Sequence, residues 1–321
     1  MMDNPNSPNN DPAWERKTLE KLLFAALDEQ RARRRWGIFF KIVGLAYLIA
    51  VLVAVVDWGS GVEHQDRHTA MINLNGVIEA KGEANAEHLV AALDSAFEEK
   101  HVAGVILRIN SPGGSPVQAG IVNDEIRRLR QKYPDKPLYA VVEDMCASGG
   151  YYVAAAADQI FVNKASIVGS IGVLMDGFGF TGTMEKLGVE RRLLTAGENK
   201  GFLDPFSPQA PQHKAHAQLL LNDIHKQFID VVRTGRGNRL KETPEMFSGL
   251  MWTGDQSVEL GLADGFGTVD SVARDVIKAE KVLDYSVQDN IAERFAKRLG
   301  ASTMASFWKG FASSARDARL L

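Results

Sequence analysis

A single serine stands where the chain changes character in VVEDMCASGGYYVAAAAD, Val141 to Asp158. The first half is apolar and typical of a buried strand, and the alanine-rich second half is typical of a helix. Ser148 lies at the junction, before Gly149 and Gly150. A helix N-cap is the plain structural interpretation of such a serine. Two following glycines, however, leave room for a substrate, and a helix start favours developing negative charge, so Ser148 is a candidate nucleophile.

A second stretch, INSPGGS from Ile109 to Ser115, lies between an apolar run and a helical pattern. Pro112 has no N–H and a fixed φ, and the glycines after it allow a sharp turn with positive φ. Such a turn can present free backbone N–H groups, which are the donors that stabilise an oxyanion. A tight turn that only begins a helix is the alternative.

A serine nucleophile requires a base that accepts its proton. The region 164–182, which the elements after the serine would bring close, contains no histidine. His213, His216 and His225 lie on a polar helical stretch that is typical of a solvated face. The sequence therefore offers no histidine for this role.

Lysine is the other candidate base, and Lys200 lies in the Gly- and Pro-rich segment TAGENKGFLDPFSP, residues 195–208. A free lysine has a pKa of about 10.4, so a lysine base near pH 7 requires its charged form to be destabilised by about 4.6 kcal/mol. Burial between apolar walls can do this. A solvated loop lysine is the alternative interpretation.

Strand and helix patterns alternate along the chain, which predicts a largely parallel sheet with helices packed around it. The predicted strands are 69–74, 102–109, 137–143, 159–163 and 170–175. The predicted helices are 84–100, 116–132, 148–157, 209–233 and 268–281.

Bulk properties exclude several function classes. The 321 residues carry a formal net charge of -3, which gives no nucleic-acid footprint. One cysteine, Cys146, excludes an internal disulfide. No metal-ligand spacing occurs, and we expect neither a metal nor a cofactor. The matches GFGFTG at 177–182 and SFWK at 306–309 lack the context that a dinucleotide site or a penicillin-binding enzyme requires.

A membrane anchor is predicted at 37–56, where GIFFKIVGLAYLIAVLVAVV carries one charge, Lys41. At 1.5 Å per residue, this segment spans about 30 Å, the thickness of a hydrocarbon core. Four arginines precede it: Arg31, Arg33, Arg34 and Arg35. The positive-inside rule then places the N-terminus in the cytoplasm and the rest outside. A cleaved signal peptide and a buried core helix are the alternatives.

The chain is thus divided into a cytoplasmic segment 1–36, the anchor 37–56, a linker 57–68, a main domain 69–284 and a tail 285–321. The tail contains a basic amphipathic run. It could be a plain terminal helix, a subunit contact or a membrane-surface helix.

Taken together, INSPGG, MCASGGYYVA, SIVGSIGV and the later Gly-x-x-Lys segment resemble the signal peptide peptidase A family, the S49 serine proteases. The resemblance runs from about Thr69 to Ala279. WTGDQSVELGLADGFG, residues 252–267, looks like the closing motif of that family, which usually has Gly-Arg just before it. This chain has Gly249 and Leu250 there, which leaves the role of that arginine open.

The resemblance implies an α/β fold of the ClpP/crotonase type, a repeated ββα superhelix with a largely parallel sheet, preceded by one transmembrane helix. It implies peptide hydrolysis through an acyl-enzyme, with Ser148 as nucleophile and Lys200 as general base. The oxyanion hole would be formed at Gly114 and Gly149, and Ser170 would orient the lysine. The expected substrate groove comprises Gly113, Ile171, Gly172 and Val173.

The resemblance also implies assembly, because long members of the family carry two copies and divide the dyad between them. A chain with one copy would form a closed ring of identical subunits, with the dyad shared between protomers. The expected substrates are cleaved signal peptides and other unfolded exported polypeptides, at the periplasmic face of a bacterial inner membrane. A crotonase-type acyl-CoA enzyme, a ClpP-like Ser-His-Asp protease and a catalytically degenerate membrane scaffold are the alternatives.

Overall fold

Residues 12–57 and 66–287 are described by a computed structural model of the protein. They fall into two units that are described separately, one before and one after the boundary between His64 and Gln65. The predicted start of the cytoplasmic segment (1–11), most of the linker (58–65) and most of the tail (288–321) lie outside the described residues.

The first unit is one long helix, α1, Pro12–Asp57, which contains the predicted anchor. Its large apolar side chains from Trp36 to Ile49 are exposed, and those of residues 51–57 lie outside the description. Among the described residues, no helix is both long enough and apolar enough to cross a membrane.

The second unit contains eight strands among its described residues: β1 His68–Asn75, β2 Val102–Ser111, β3 Leu138–Ala147, β4 Gln159–Val162, β5 Ile167–Gly169, β6 Met251–Thr253, β7 Gly265–Phe266 and β8 Val282–Asp284. Its helices are α2 Ala86–Glu98, α3 Pro116–Lys132, α4 Gly149–Ala154, α5 Thr181–Lys186, α6 Pro211–Arg236, α7 Gly254–Glu259 and α8 Val269–Ser271. A 3₁₀ turn, Gly237–Arg239, follows α6, and a π-helical segment, Val272–Ile277, continues α8.

These strands form one mixed sheet in the order β6-β5-β3-β2-β1-β8, and only β5 and β6 pair antiparallel. The strand β3 changes partner along its length: 139–141 pairs with β4 and 145–147 pairs with β5. The prediction of a mixed α/β fold with a largely parallel sheet is therefore confirmed.

The sheet is covered on both faces, which explains why β2 is an unbroken apolar run. Val105 and Leu107 point into the larger core, which contains buried residues of α2, α3 and α4. Ile106 points to the opposite face, where it packs with Val272 and Ile277.

The predicted strand at 170–175 is wrong. The strand β5 ends at Gly169, because Ser170 takes a φ of 51° and turns the chain out of the ladder. Its N–H is satisfied by the Leu250 carbonyl at 2.7 Å. The predicted helix at 268–281 is also shorter, since Lys278 adopts a left-handed conformation and ends the π-helical segment.

Candidate active site

The carboxyl ends of three neighbouring parallel strands bring the predicted site residues to one edge of the sheet. Ser111 at the end of β2 pairs with Cys146 of β3, and Ala147 pairs with Gly169 of β5. Because parallel strands end on the same side, the segments that follow them meet there. The turn after β2, Ser148 after β3 and Ser170 after β5 all lie at this edge.

Ser148 occupies a backbone conformation that is rare for a residue with a side chain, with φ 52° and ψ -123°. The conformation is fixed from both sides: its N–H donates to the Gly169 carbonyl at 2.8 Å, and its carbonyl accepts from the Tyr152 N–H at 3.0 Å. Its side chain makes no capping hydrogen bond to α4. Ser148 thus occupies the N-cap position of α4 without capping it through its side chain, and the hydroxyl remains available for chemistry.

The oxyanion turn, residues 111–115, leaves one backbone donor unused. Ile78 donates its N–H to the Gly113 carbonyl and accepts from the Ser115 N–H, both at 2.8 Å. In a trans peptide the C=O and N–H point in opposite directions, so the Gly114 N–H points away from Ile78. No described acceptor pairs with it.

A second unused donor lies close to the first. The Gly149 N–H starts α4 and pairs with no described acceptor. The two glycines pack so closely that a Cβ placed on Gly149 would lie 3.2 Å from the Gly114 nitrogen. Two free N–H groups beside an uncapped serine hydroxyl are the arrangement that stabilises a tetrahedral oxyanion.

These groups open onto a cavity of about 600 Å³, the Ser148 cavity. Gly114, Ser148, Gly149 and Ser170 all line it. Its apolar walls come from both sides of the sheet edge and from α6: Pro112, Pro116, Tyr152, Val173, Leu174, Ile224 and Phe228. A cavity of this volume, with several apolar walls and a few polar groups, is of the size that proteins use to bind ligands.

Two of the predicted groove residues, Gly172 and Val173, line this cavity, and the other two do not. Ile171 is fully buried in the core. Gly113 is buried behind the nucleophile, where a Cβ would lie 2.6 Å from the Cβ of Ser148. Gly113 thus supports the site without facing a substrate.

The strand β6 lies alongside β5 and brings Gly249 and Leu250 to the cavity mouth, where Gly249 lines the wall. The side chain of Leu250, where the resemblance leads us to expect arginine, is exposed. Its carbonyl accepts the Ser170 N–H. This structural contact is made by backbone and does not depend on the side chain.

Lys200 lies in the segment between β5 and α6. It is exposed on a turn within residues 174–209, and its N–H donates to the Gly197 carbonyl at 3.0 Å. It does not line the Ser148 cavity. A single chain therefore does not place the predicted lysine base among the cavity residues.

The interpretation of His225 as a solvated residue is wrong. His225 is half-buried, and its Nε2 lies 3.1 Å from the Ile171 carbonyl, next to Ser170. The signal was available in the sequence, since Ile224 and Phe228 mark the inward face of α6 at a spacing of four. His213 and His216 pack instead against the ring of Phe202.

A buried ion pair at the amino end of β4, away from the Ser148 cavity, was not predicted. Arg236 at the end of α6 is 1% exposed and makes two hydrogen bonds to the Asp264 carboxylate, at 2.8 and 2.9 Å. Asp264 also accepts the Ile160 N–H of β4 at 2.7 Å. Burial acts to raise the pKa of Asp264, but the hydrogen bonds and charge of Arg236 outweigh it and hold that pKa below its usual value.

Comparisons with known proteins identify the family. The sequence model of peptidase family S49 matches residues 130–283. A Synechocystis protein named as a protease, slr0021, is 33% identical over 199 residues, which are 62% of this chain and 69% of that protein. A protein of Enterococcus faecium named as signal peptide peptidase SppA is 29% identical over 256 residues, 77% of this chain and 74% of that protein.

A longer relative shares the same region. A Brucella abortus protein named as the Na(+)/H(+) antiporter NhaA is 43% identical over 209 residues, 64% of this chain. This chain spans only 28% of that protein. The chain belongs to peptidase family S49.

Proposed function

We propose that this chain is a membrane-anchored endopeptidase in which Ser148 is the nucleophile and Lys200 of a neighbouring protomer is the general base. The observation that carries the proposal is the uncapped Ser148 hydroxyl, held at a strained join beside two unused N–H groups. Strained backbone of this kind persists where the surrounding structure enforces it, and it is concentrated at active sites.

The chemistry follows from this geometry. The Ser148 Oγ attacks the scissile carbonyl and transfers its proton to the neutral lysine amine. The oxyanion that forms is stabilised by the Gly114 and Gly149 N–H groups. The protonated amine then gives its proton to the leaving amide nitrogen, which leaves an acyl-enzyme that water hydrolyses. Ser170, which lines the same cavity, would hydrogen-bond the lysine and orient it.

A neighbouring protomer is the proposed source of the lysine because the segment that carries Lys200 is exposed throughout. No residue between 174 and 209 is buried, and Leu174, Phe178, Leu187 and Leu194 are each more than 70% exposed. Apolar side chains exposed in such number mark a surface that another protein covers. A closed ring of identical subunits, with the ClpP/crotonase type of architecture, would cover it and complete each site.

The proposed substrates are cleaved signal peptides and other unfolded exported polypeptides. The apolar walls of the Ser148 cavity match the apolar side chains of such segments. The proposed anchor is supported by the exposed apolar side chains of α1 from Trp36 to Ile49 and by the arginines at 31 and 33–35. Together they would place the protease domain outside the cytoplasmic membrane, on the periplasmic side.

The test is labelling of the detergent-solubilised full chain with a fluorophosphonate, together with hydrolysis of an apolar fluorogenic peptide. We expect the wild type to be labelled and to cleave, and Ser148→Ala to do neither. A base that is a lysine should also give activity that rises from pH 6 to pH 9. Labelling that persists in Ser148→Ala, or a flat pH profile, would contradict the proposal.

A further inference from the structure

The side chain of Ser111 lies beneath the oxyanion turn and is completely buried. It is the last residue of β2 and pairs with Cys146 at the end of β3. It also packs against α4: a Cβ placed on Gly150 would lie 3.3 Å from the Cβ of Ser111. One small side chain thus contacts the turn, the sheet and the helix that begins after Ser148.

Both hydrogen-bonding functions of the Ser111 hydroxyl are used. Its O–H donates to the Gly76 carbonyl at 2.7 Å, and its oxygen accepts the Gly113 N–H at 3.1 Å. Gly76 follows β1, and its own N–H donates to the Asn110 carbonyl at 2.9 Å. The hydroxyl therefore connects the end of β1 to the turn that carries the oxyanion donor.

Gly113 is consequently fixed on both of its peptide groups. Its N–H is held by Ser111 and its carbonyl is held by the Ile78 N–H. The carbonyl belongs to the same planar peptide as the Gly114 N–H, so fixing one fixes the direction of the other. A donor aimed at an oxyanion must be placed within a few tenths of an ångström to be effective.

We propose that Ser111 is a positioning residue of the oxyanion hole: it holds the N–H side of Gly113 and, together with the Ile78 N–H on the carbonyl side, fixes the direction of the Gly114 N–H relative to Ser148. This inference rests on the proposed function, because it requires Ser148 to be the nucleophile. It adds a role for a side chain that touches neither the substrate nor the reacting atoms. The alternative role for Ser111 is that of an ordinary buried serine, which would contribute to stability alone.

The chain offers a matched control in Ser166, which is 2% exposed. Its oxygen accepts the Asn163 N–H at 3.0 Å, and its O–H donates to the Glu143 carbonyl of the neighbouring strand. Ser166 therefore has nearly the same burial and the same two kinds of backbone partner as Ser111, but its partners lie outside the turn 111–115. Replacing either serine by alanine should destabilise the fold by a similar amount.

The experiment measures kcat, KM and melting temperature for the full chain, for Ser111→Ala and for Ser166→Ala, with the apolar fluorogenic peptide as substrate. We expect kcat of Ser111→Ala to fall about tenfold or more with little change in KM, since removing an oxyanion donor outright costs 10²–10³. Ser166→Ala should keep its kcat. A Ser111→Ala kcat equal to that of Ser166→Ala would overturn the inference.

If Ser111→Ala does not fold, the pair Ser111→Cys and Ser166→Cys gives the same comparison, because a thiol keeps the volume and weakens both hydrogen bonds. Equal kcat values within that pair would overturn the inference as well. Failure of the proposed function is distinguishable, since it would appear as undiminished fluorophosphonate labelling and cleavage in Ser148→Ala.

Discussion

The two regions that contribute candidate catalytic groups are built in opposite ways. The floor, residues 68–173, is packed around the sheet, and every backbone contact at Ser148 is supplied from within the chain. The excursion, residues 174–209, has no buried residue and carries Lys200 on an exposed turn. The groups around Ser148 are thus fixed by contacts within one chain, whereas the segment that carries Lys200 contributes no residue to the core of that chain.

The two regions should also differ in how sensitive they are to substitution. A changed side chain in the floor contacts neighbouring atoms that have little room to move, because protein cores are close-packed. A changed side chain in the excursion lies near solvent in a single chain. It would affect activity only where a neighbouring subunit contacts it. Identical substitutions in the two regions should therefore differ in their effects.

The largest effect that we expect on the floor comes from Gly114→Ala. A Cβ at this position would lie 2.1 Å from the Ile78 carbonyl oxygen, and φ is +148°. The turn must shift and move the N–H donor, so kcat should fall by roughly 10²-fold or more. Peptide hydrolysis by the purified variant measures this.

Gly120→Ala is the matched control, because it makes the same change nearby on α3 with open space around the new methyl group. It should keep its activity and gain up to about 1 kcal/mol in stability from helix propensity. Activity of Gly114→Ala within threefold of the wild type would show that the turn does not hold the oxyanion donor.

The second effect is on stability, and it compares a buried carboxylate that follows α7 with an exposed carboxylate of the excursion. Asp264→Asn leaves Arg236 buried beside a neutral amide, so the free energy of unfolding should fall by about 3–5 kcal/mol. Glu190→Gln in the excursion breaks an exposed pair with Arg192 and should barely change the melting temperature. Thermal unfolding of both variants at pH 7 measures the difference.

The difference in stability between the wild type and Asp264→Asn should depend on pH in a defined direction. The pKa of Asp264 is held low in the folded protein, so its ionised form stabilises the fold above the unfolded value of about 3.9. The stabilisation is lost as pH falls below that value towards the folded pKa. The gap between the wild type and Asp264→Asn should therefore close as the pH falls from 5 to 2, and a gap that stays constant would rule out this role for the carboxylate.

The smallest effect concerns His225 of α6, which bonds to Ile171 near the end of the floor. Removing its hydrogen bond to the Ile171 carbonyl in His225→Phe should lower kcat/KM about fivefold, the worth of one such bond. His225→Gln keeps a donor and should recover most of the activity. His216→Phe, at an exposed position of the same helix, should behave as the wild type. A similar loss of activity in all three variants would show that the His225 hydrogen bond has no specific role.

The sequence predicted the parallel sheet and the residues at its edge better than it predicted the long-range side-chain contacts and the end of β5, for physical reasons. Continuous apolar runs and βα alternation indicate a parallel sheet, and such a sheet brings Ser148 and the Pro-Gly-Gly turn to one edge. The pairing of Arg236 with Asp264 joins residues far apart in the chain, which no local pattern specifies. The end of β5 was also missed, because Ser170 adopts positive φ without being a glycine.

The separation of Ser148 from Lys200 between protomers is tested most directly by mixing two inactive variants. Ser148→Ala and Lys200→Ala are each expected to be inactive on the apolar peptide. In an equal mixture allowed to exchange subunits, half of the protomers carry the serine and half of their neighbours carry the lysine. Roughly a quarter of the wild-type activity should then return. Full activity of Lys200→Ala alone, or no recovery in rings shown by two affinity tags to contain both variants, would contradict the account.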